Sequence, residues 1–412
     1  MKLDDRSQDE SQDQSTGDPQ VFRGSNQSGL RDYNERLVLS MIQRSGAMPG
    51  VEIARRAGLS PQTVSVILRS LESDGLLERG APQRGRVGKP SIPMGLNPDG
   101  LYSIGMKIGR RSADLVLTDF LGNTRQLLQT TYRYPMPEAI LGFLKSGLAS
   151  FREALGDQAA DRISGIGIAM PFEIWNWSET IGAPPNDIAA WRDLDFAAEI
   201  GQFTNLPVFI ENDATAACRA EHVYGLGRTY RDFAYFFVGS FIGGGVVLNH
   251  AVFEGARGNA GAFGSLPIRL STGEDKQLID VASLYRLEAD LARKGIEPAR
   301  IWASPQDWHD FPEVLDNWID YTARHLARAA LTVCAVIDFE AVVIDGAFPE
   351  DVRTRLIDRV RNNIVDLDQR GLFPPVIAEG TVGRNARAMG AACSSVFNQF
   401  LLNTLGGLSQ SS

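Results

Sequence analysis

Between Ser60 and Lys89 the chain gathers side chains suited to reading duplex DNA. Gln62, Thr63, Ser65 and Arg69 offer an amide, two hydroxyls and a guanidinium, the groups that pair with base edges and phosphates. Residues 79 to 89 hold four basic side chains (Arg79, Arg84, Arg86 and Lys89) and no acidic one. The glycines among them let the backbone approach a phosphate or a minor groove closely. A small helical subdomain with a solvated basic loop would share single parts of this pattern, but the loop directly after the polar helix face argues for DNA. A second polar cluster, Glu211-Asn212-Asp213, ends an apolar run from Leu206 to Ile210. That is where open α/β sheets place their ligands.

The elements that must carry the first set are legible. Ser60 fits a helix N-cap and Pro61 the first helical position, where its missing N–H costs nothing. Val64, Ile67, Leu68 and Leu71 recur at helical spacing and face a core, leaving the four polar residues outside. Upstream, Leu37, Val38, Met41 and Ile42 form the stripe of a helix from Tyr33 to Ser45. Val51, Ile53, Ala54 and Ala57 form a shorter one, closed by the turn Gly58-Leu59-Ser60. This is the helix-turn-helix order. Leu76-Leu77-Glu78 and Ser91-Ile92-Pro93-Met94 are expected as two strands of a wing.

The net charge of −9 over 412 residues divides unevenly. Residues 31–95 carry +4, residues 1–30 carry −3, and residues 96–412 carry −10. An acidic body repelled by phosphate leaves DNA contact to the basic head. No apolar run reaches the length of about 18 that a membrane span requires, so no membrane role is expected. The polar start Met-Lys-Leu-Asp-Asp points to a cytoplasmic chain. Cys218, Cys334 and Cys393 lack any paired spacing and are expected as buried small hydrophobes. His222, His250, His309 and His325 show no metal spacing either.

Residues 1–28, rich in Asp, Gln, Ser and Gly, are expected as a disordered tail. A winged helix-turn-helix head covers 29–95 and a linker 96–100. Beyond Leu101 the order hairpin, helix, strand occurs twice, with the glycine run Ile242-Gly243-Gly244-Gly245 expected as a turn. Two related α/β lobes, 101–215 and 216–412, with a cleft between them follow.

Five stretches carry a resemblance in chain order: Gly165-Ile166-Gly167-Ile168-Ala169-Met170-Pro171, the segment from Asn186 to Trp191, Glu211-Asn212-Asp213-Ala214, the run Gly239 to Asn249, and Gly258-Asn259-Ala260-Gly261. With the wing Gly85-Arg86-Val87-Gly88-Lys89-Pro90, they make the chain resemble the ROK family (repressors, open reading frames, kinases) over roughly residues 31 to 400, specifically its regulators. The resemblance implies a multidomain protein: a mainly α winged head before a two-lobed, sugar-kinase-type body of the actin-like (ribonuclease H-like) ATPase fold. The C-terminal helix would return to the first lobe.

It also implies which residues meet an effector, namely Asn186, Asn212 and Asp213, the last matching the kinases' catalytic base. Trp175 and Trp177, beside the expected cleft, are expected to pack. The chain departs from the kinases where phosphate chemistry would sit. Lys107 replaces an Asp that serves magnesium, Phe241 replaces a glycine of the phosphate turn, and Asp345 puts a carboxylate near the phosphates. The family's sugar-binding Glu and its His are replaced within Gly261-Ala262-Phe263-Gly264-Ser265, and the cysteine cluster of its zinc site is absent. No enzyme activity, no cofactor and no zinc are expected.

The expected function is a repressor of carbohydrate-related genes. It would bind a double-stranded DNA operator as a homodimer or homotetramer and sense a sugar or sugar derivative. The alternatives are a sugar kinase with an accessory head and a regulator answering to a protein partner.

Overall fold

A computed structural model describes residues 27–82, 91–171, 174–177, 184–302 and 306–402. The head opens with α1 (Gln27–Ser45), then β1 (Met48–Pro49), α2 (Gly50–Ala57), α3 (Pro61–Ser73), β2 (Leu77–Arg79) and β3 (Pro93–Leu96). Gly58 ends α2 in the left-handed region at φ 64°, its N–H on the Ala54 carbonyl. Ser60 caps α3 by accepting the Thr63 N–H at 3.1 Å. Val64, Ile67, Leu68 and Leu71 are buried as their spacing predicts. The helix α1 starts at Gln27, ahead of the expected Tyr33, so the last two residues assigned to the tail are helical; residues 1–26 lie outside the described residues. The wing strands pair antiparallel, Leu77 with Leu96 and Arg79 with Met94, and β1 joins their outer side in the order β1-β3-β2.

The body holds two sheets of the same topology. In the first, β4 (Tyr102–Ile108), β5 (Ser112–Asp119) and β6 (Thr124–Thr131) form an antiparallel meander. The helix α4 (Pro137–Leu155) then crosses to β7 (Ile163–Met170) and β8 (Val208–Asn212), both parallel to β4, giving the order β6-β5-β4-β7-β8. The helix α5 (Asp213–Tyr224) leads to the second sheet, where β9 (Phe233–Val238), β10 (Ile242–Leu248) and β11 (Ala251–Phe253) repeat the meander. After a small hairpin, β12 (Pro267–Arg269) with β13 (Asp275–Gln277), come α6 (Leu284–Arg293) and α7 (Pro312–Val336). Then β14 (Ala341–Gly346), α8 (Glu350–Val365) and β15 (Val376–Glu379) complete the order β11-β10-β9-β14-β15.

The last helix, α9 (Ala386–Phe400), returns to the first lobe and lies on β4, β7 and α5. Small residues make this possible. A Cβ on Gly167 would stand 1.7 Å from the Ala391 carbonyl oxygen, and one on Gly390 1.7 Å from that of Ala216, so main chain lies on main chain at both points.

Two expectations change. The run Gly243-Gly244-Gly245 is strand, not turn; the turn is at 239–241. A Cβ on Gly244 would meet the Phe263 ring at 2.3 Å and one on Gly245 the Cys218 Cβ at 2.4 Å. Glycine is needed there for packing across the strand, which propensity alone misreads as a turn. Residues 96–100 are a packed turn: Asn97 Nδ2 donates to the Gly75 carbonyl at 2.8 Å and the Phe120 N–H to Pro98 at 3.1 Å. The head's core is continuous with the body, as Val38, Leu39 and Ile42 share one cluster with Phe120, Val396, Phe397 and Leu401.

Candidate functional site

The polar face of α3 stands where the helix-turn-helix needs it. Gln62, Thr63, Ser65 and Arg69 are exposed, and Arg69 Nε reaches back to the Ser65 carbonyl at 3.1 Å. Arg31 of α1 donates to Ser70 Oγ of α3 at 3.0 Å. Arg79, which opens the basic loop, donates to Glu72 of α3 through two bonds of 2.6 and 3.0 Å. The pair is exposed and ties β2 to α3. Arg84, Arg86 and Lys89 lie outside the described residues.

The second site is the cleft between the sheets, a cavity of about 220 Å3. Three elements converge on it. The end of β8 turns into α5 at Asn212 and Asp213, β4 turns into β5 at Gly109 and Arg110, and α9 brings Arg387 in its first turn. Asn212 is the N-cap of α5, its Oδ1 accepting the Ala214 and Thr215 N–H groups at 3.0 and 3.2 Å. It lines the cavity with that oxygen already engaged. Asp213 accepts a charge-assisted bond from Arg387 Nη1 at 3.2 Å. The same guanidinium lies 4.8 Å from the centre of the Phe237 ring, and its Nε is buried without a partner. Across the cleft Arg110 pairs with Glu288 of α6, whose other oxygen accepts from Trp302 Nε1 at 2.6 Å, so an ion pair joins the two lobes.

Asn186 lies in the short helix Pro185–Ala189, its side chain outside the described residues. Trp175 packs against the first-lobe core and lines a neighbouring hollow, while the Trp177 side chain is outside the described residues. Ala262 and Ser265 do face the cleft, as does Asn259.

The residues expected in place of phosphate machinery do not stand as free charges. Lys107 is buried and bonded to Ser112 Oγ at 2.7 Å and Asp114 Oδ2 at 3.1 Å. Burial lowers its pKa to about 8, with the Asp114 carboxylate opposing. Asp114, whose burial pushes the other way, is held below its ordinary value by Lys107. Asp345 does not reach the cleft lining. It is fully buried, accepts the Gly346 and Gly383 N–H groups and the Tyr235 hydroxyl, and burial raises its pKa to about 6. Phe241 fills the cleft wall edge-on to Tyr285, the ring centres 5.4 Å apart.

Among the described residues no group of three or more His, Cys, Asp or Glu is placed to hold a metal. The segment from Gly261 to Ser265 offers neither imidazole nor thiolate, so a family zinc does not fit there. The three cysteines are buried and free. No helix among the described residues is long and apolar enough to cross a membrane.

Sequence reasoning missed Arg387 and the Arg110–Glu288 pair. For Arg387 a signal existed: a lone charge in the first turn of a helix otherwise built of Ala, Gly and Ser must end somewhere polar.

A winged helix-turn-helix head on two lobes of actin-like topology, with a cleft at the ends of the parallel strands, defines a sugar-kinase-like body joined to a DNA reader. A winged helix-turn-helix DNA-binding model matches residues 31–78, and the ROK family model matches residues 103–395. The chain belongs to the ROK family. It is 25% identical to the uncharacterized protein y4fQ of Sinorhizobium fredii over 369 residues, 89% of this chain and 91% of that one. It is 26% identical to a xylose repressor of Bacillus spizizenii over 389 residues, covering 91% and 97%. A solved ROK family transcriptional regulator, a homologue of the E. coli MLC protein, superposes with a TM-score of 0.65 at 20% identity, covering 90% of this chain and 98% of that one.

Proposed function

We propose that this chain is a DNA-binding transcriptional regulator, a repressor of carbohydrate-related genes, whose kinase-like body senses a sugar or sugar derivative and transfers no phosphate. The observation that carries it is α3: a capped helix with one face in the core and Gln62, Thr63, Ser65 and Arg69 on the other. The similarity to a xylose repressor along nearly the whole chain supports the sugar response. In the cleft, Asp213 held by Arg387 is engaged with a cation instead of standing free as a general base. Asn212, Asp213 and Asn186 are the proposed effector contacts, and Arg84, Arg86 and Lys89 the phosphate contacts of the wing.

The working division is a head of 29–95 and lobes of 101–215 and 216–412, in the cytoplasm, as a homodimer or homotetramer. Two copies of α3 would then stand about 34 Å apart, one turn of DNA. The effector acts only if it binds two lobe arrangements unequally. Selecting bound fragments from the parent genome tests the reading: enrichment of a pseudo-palindrome beside sugar genes, released by one member of a sugar panel, supports it. Turnover of ATP with any sugar of that panel, abolished by Asp213→Asn, would overturn it in favour of a kinase.

A further inference from the structure

Where α1 meets the body there is a cavity of about 40 Å3. A water needs roughly 10–15 Å3, so one compact ion fits and a sugar does not. The head contributes Ser40, Gln43 and Arg44 to its wall; the body contributes His222, Arg228 and His250, and no Asp or Glu lines it. Among the described residues the Arg44 guanidinium has no hydrogen-bond or ion-pair partner, and burial alone lowers its pKa. Arg228, exposed at the mouth, reaches only the Gln43 carbonyl, at 3.5 Å.

The two imidazoles are spent on backbone: His222 on the His250 carbonyl and His250 on that of Gly227. His250 Nδ1 is left buried without a partner. The acid that acts on His250, Asp232, is itself held by Arg231 and the Asn249 N–H. Two guanidinium groups, the half-buried Arg44 and Arg228 at the mouth, thus share one seam without a counter-charge, an arrangement that a bound anion relieves.

We propose that this seam binds one phosphate-type anion, held by Arg44, Arg228 and His250, and that the bound anion fastens the head to the body. Two guanidinium forks from opposite walls suit a tetrahedral oxyanion. A proton on Nδ1 turns His250 into a third donor, so binding strengthens toward acid. The groups facing that ring are Arg44, Arg231, Asp232 and His222. The site is separate from the cleft and stands whether or not the cleft takes a sugar.

The test is the melting temperature of the full chain in inorganic phosphate, in glycerol phosphate and in chloride at equal ionic strength. The wild type should gain a few degrees once the anion exceeds its Kd about 100-fold, the gain rising with the logarithm of anion concentration. Arg44→Gln and Arg228→Gln should lose the gain; Arg228 is exposed, so its variant keeps the fold. A response to inorganic phosphate alone identifies a free ion as the ligand, and a response to the monoester identifies the phosphate group of a larger molecule entering at the mouth. No gain in the wild type, or the same gain in both variants, overturns the proposal.

Discussion

Lys107 and Asp114 show why a substitution at a family position cannot be weighed by charge alone. The lysine that replaces a magnesium carboxylate is folded into a buried pair. Lys107→Met should therefore cost about 3–5 kcal/mol near pH 7, because it leaves Asp114 buried and unpaired. Without the lysine, burial is opposed only by the Gln129 bond at 2.7 Å and the Arg387 charge, so the Asp114 pKa should be lifted. The cost is then small near pH 4 and grows as pH rises through the lifted value. Urea midpoints of wild type and variant across that range measure it; a penalty independent of pH would contradict it. His222 runs the other way, since burial lowers its pKa to about 4. The unfolded chain takes up a proton below about 6.5 that the fold resists, so stability falls between pH 6.5 and 4. That loss should be smaller in His222→Gln.

At the scale of elements, the caps and seams carry the predictions. Ser60→Ala removes the acceptor for the Thr63 N–H and should cost about 1 kcal/mol, read as a lower urea midpoint at unchanged slope. Gly390→Ala should cost more, about 1–3 kcal/mol, because the new methyl points into the Ala216 carbonyl and α9 cannot retreat from β7. These two sites differ in how well they can be foreseen. Ser60, Pro61 and the stripe from Val64 to Leu71 are local signals, so α3 and its outward face were legible before any coordinates. The repeated meanders were legible too, because alternation and turn residues mark hairpins. The glycines of β10 were misread since what they make room for, Phe263 and Cys218, lies far away in sequence or on another element. Arg387 and Glu288 escaped for the same reason: their partners, Asp213 and Arg110, are long-range contacts with no periodicity to announce them.

For the whole molecule the question is how a cleft in the body reaches a helix in the head. Arg36 of α1 donates to the Phe397 and Leu401 carbonyls at 3.1 Å, occupying the free acceptors at the end of α9. The Leu402 N–H returns to Ser40 Oγ at 2.8 Å. Arg36→Ala should leave the body folded but raise amide exchange in α1 and weaken operator binding several-fold, without changing the salt slope, because no phosphate contact is lost. Replacing Arg84, Arg86 and Lys89 with Ala should instead flatten that slope. Filter binding across a salt series separates the two.

One rod thus has its first turn in the cleft, at Arg387, and its last turn clasped by the head, over a span of 15 residues, about 22 Å. A ligand that draws Arg387 off Asp213 would tug on a lever whose far end is held by Arg36 of α1. By thermodynamic reciprocity the traffic runs both ways: an operator that prefers one pose of the lever must alter the cleft's grip on its ligand by the same factor.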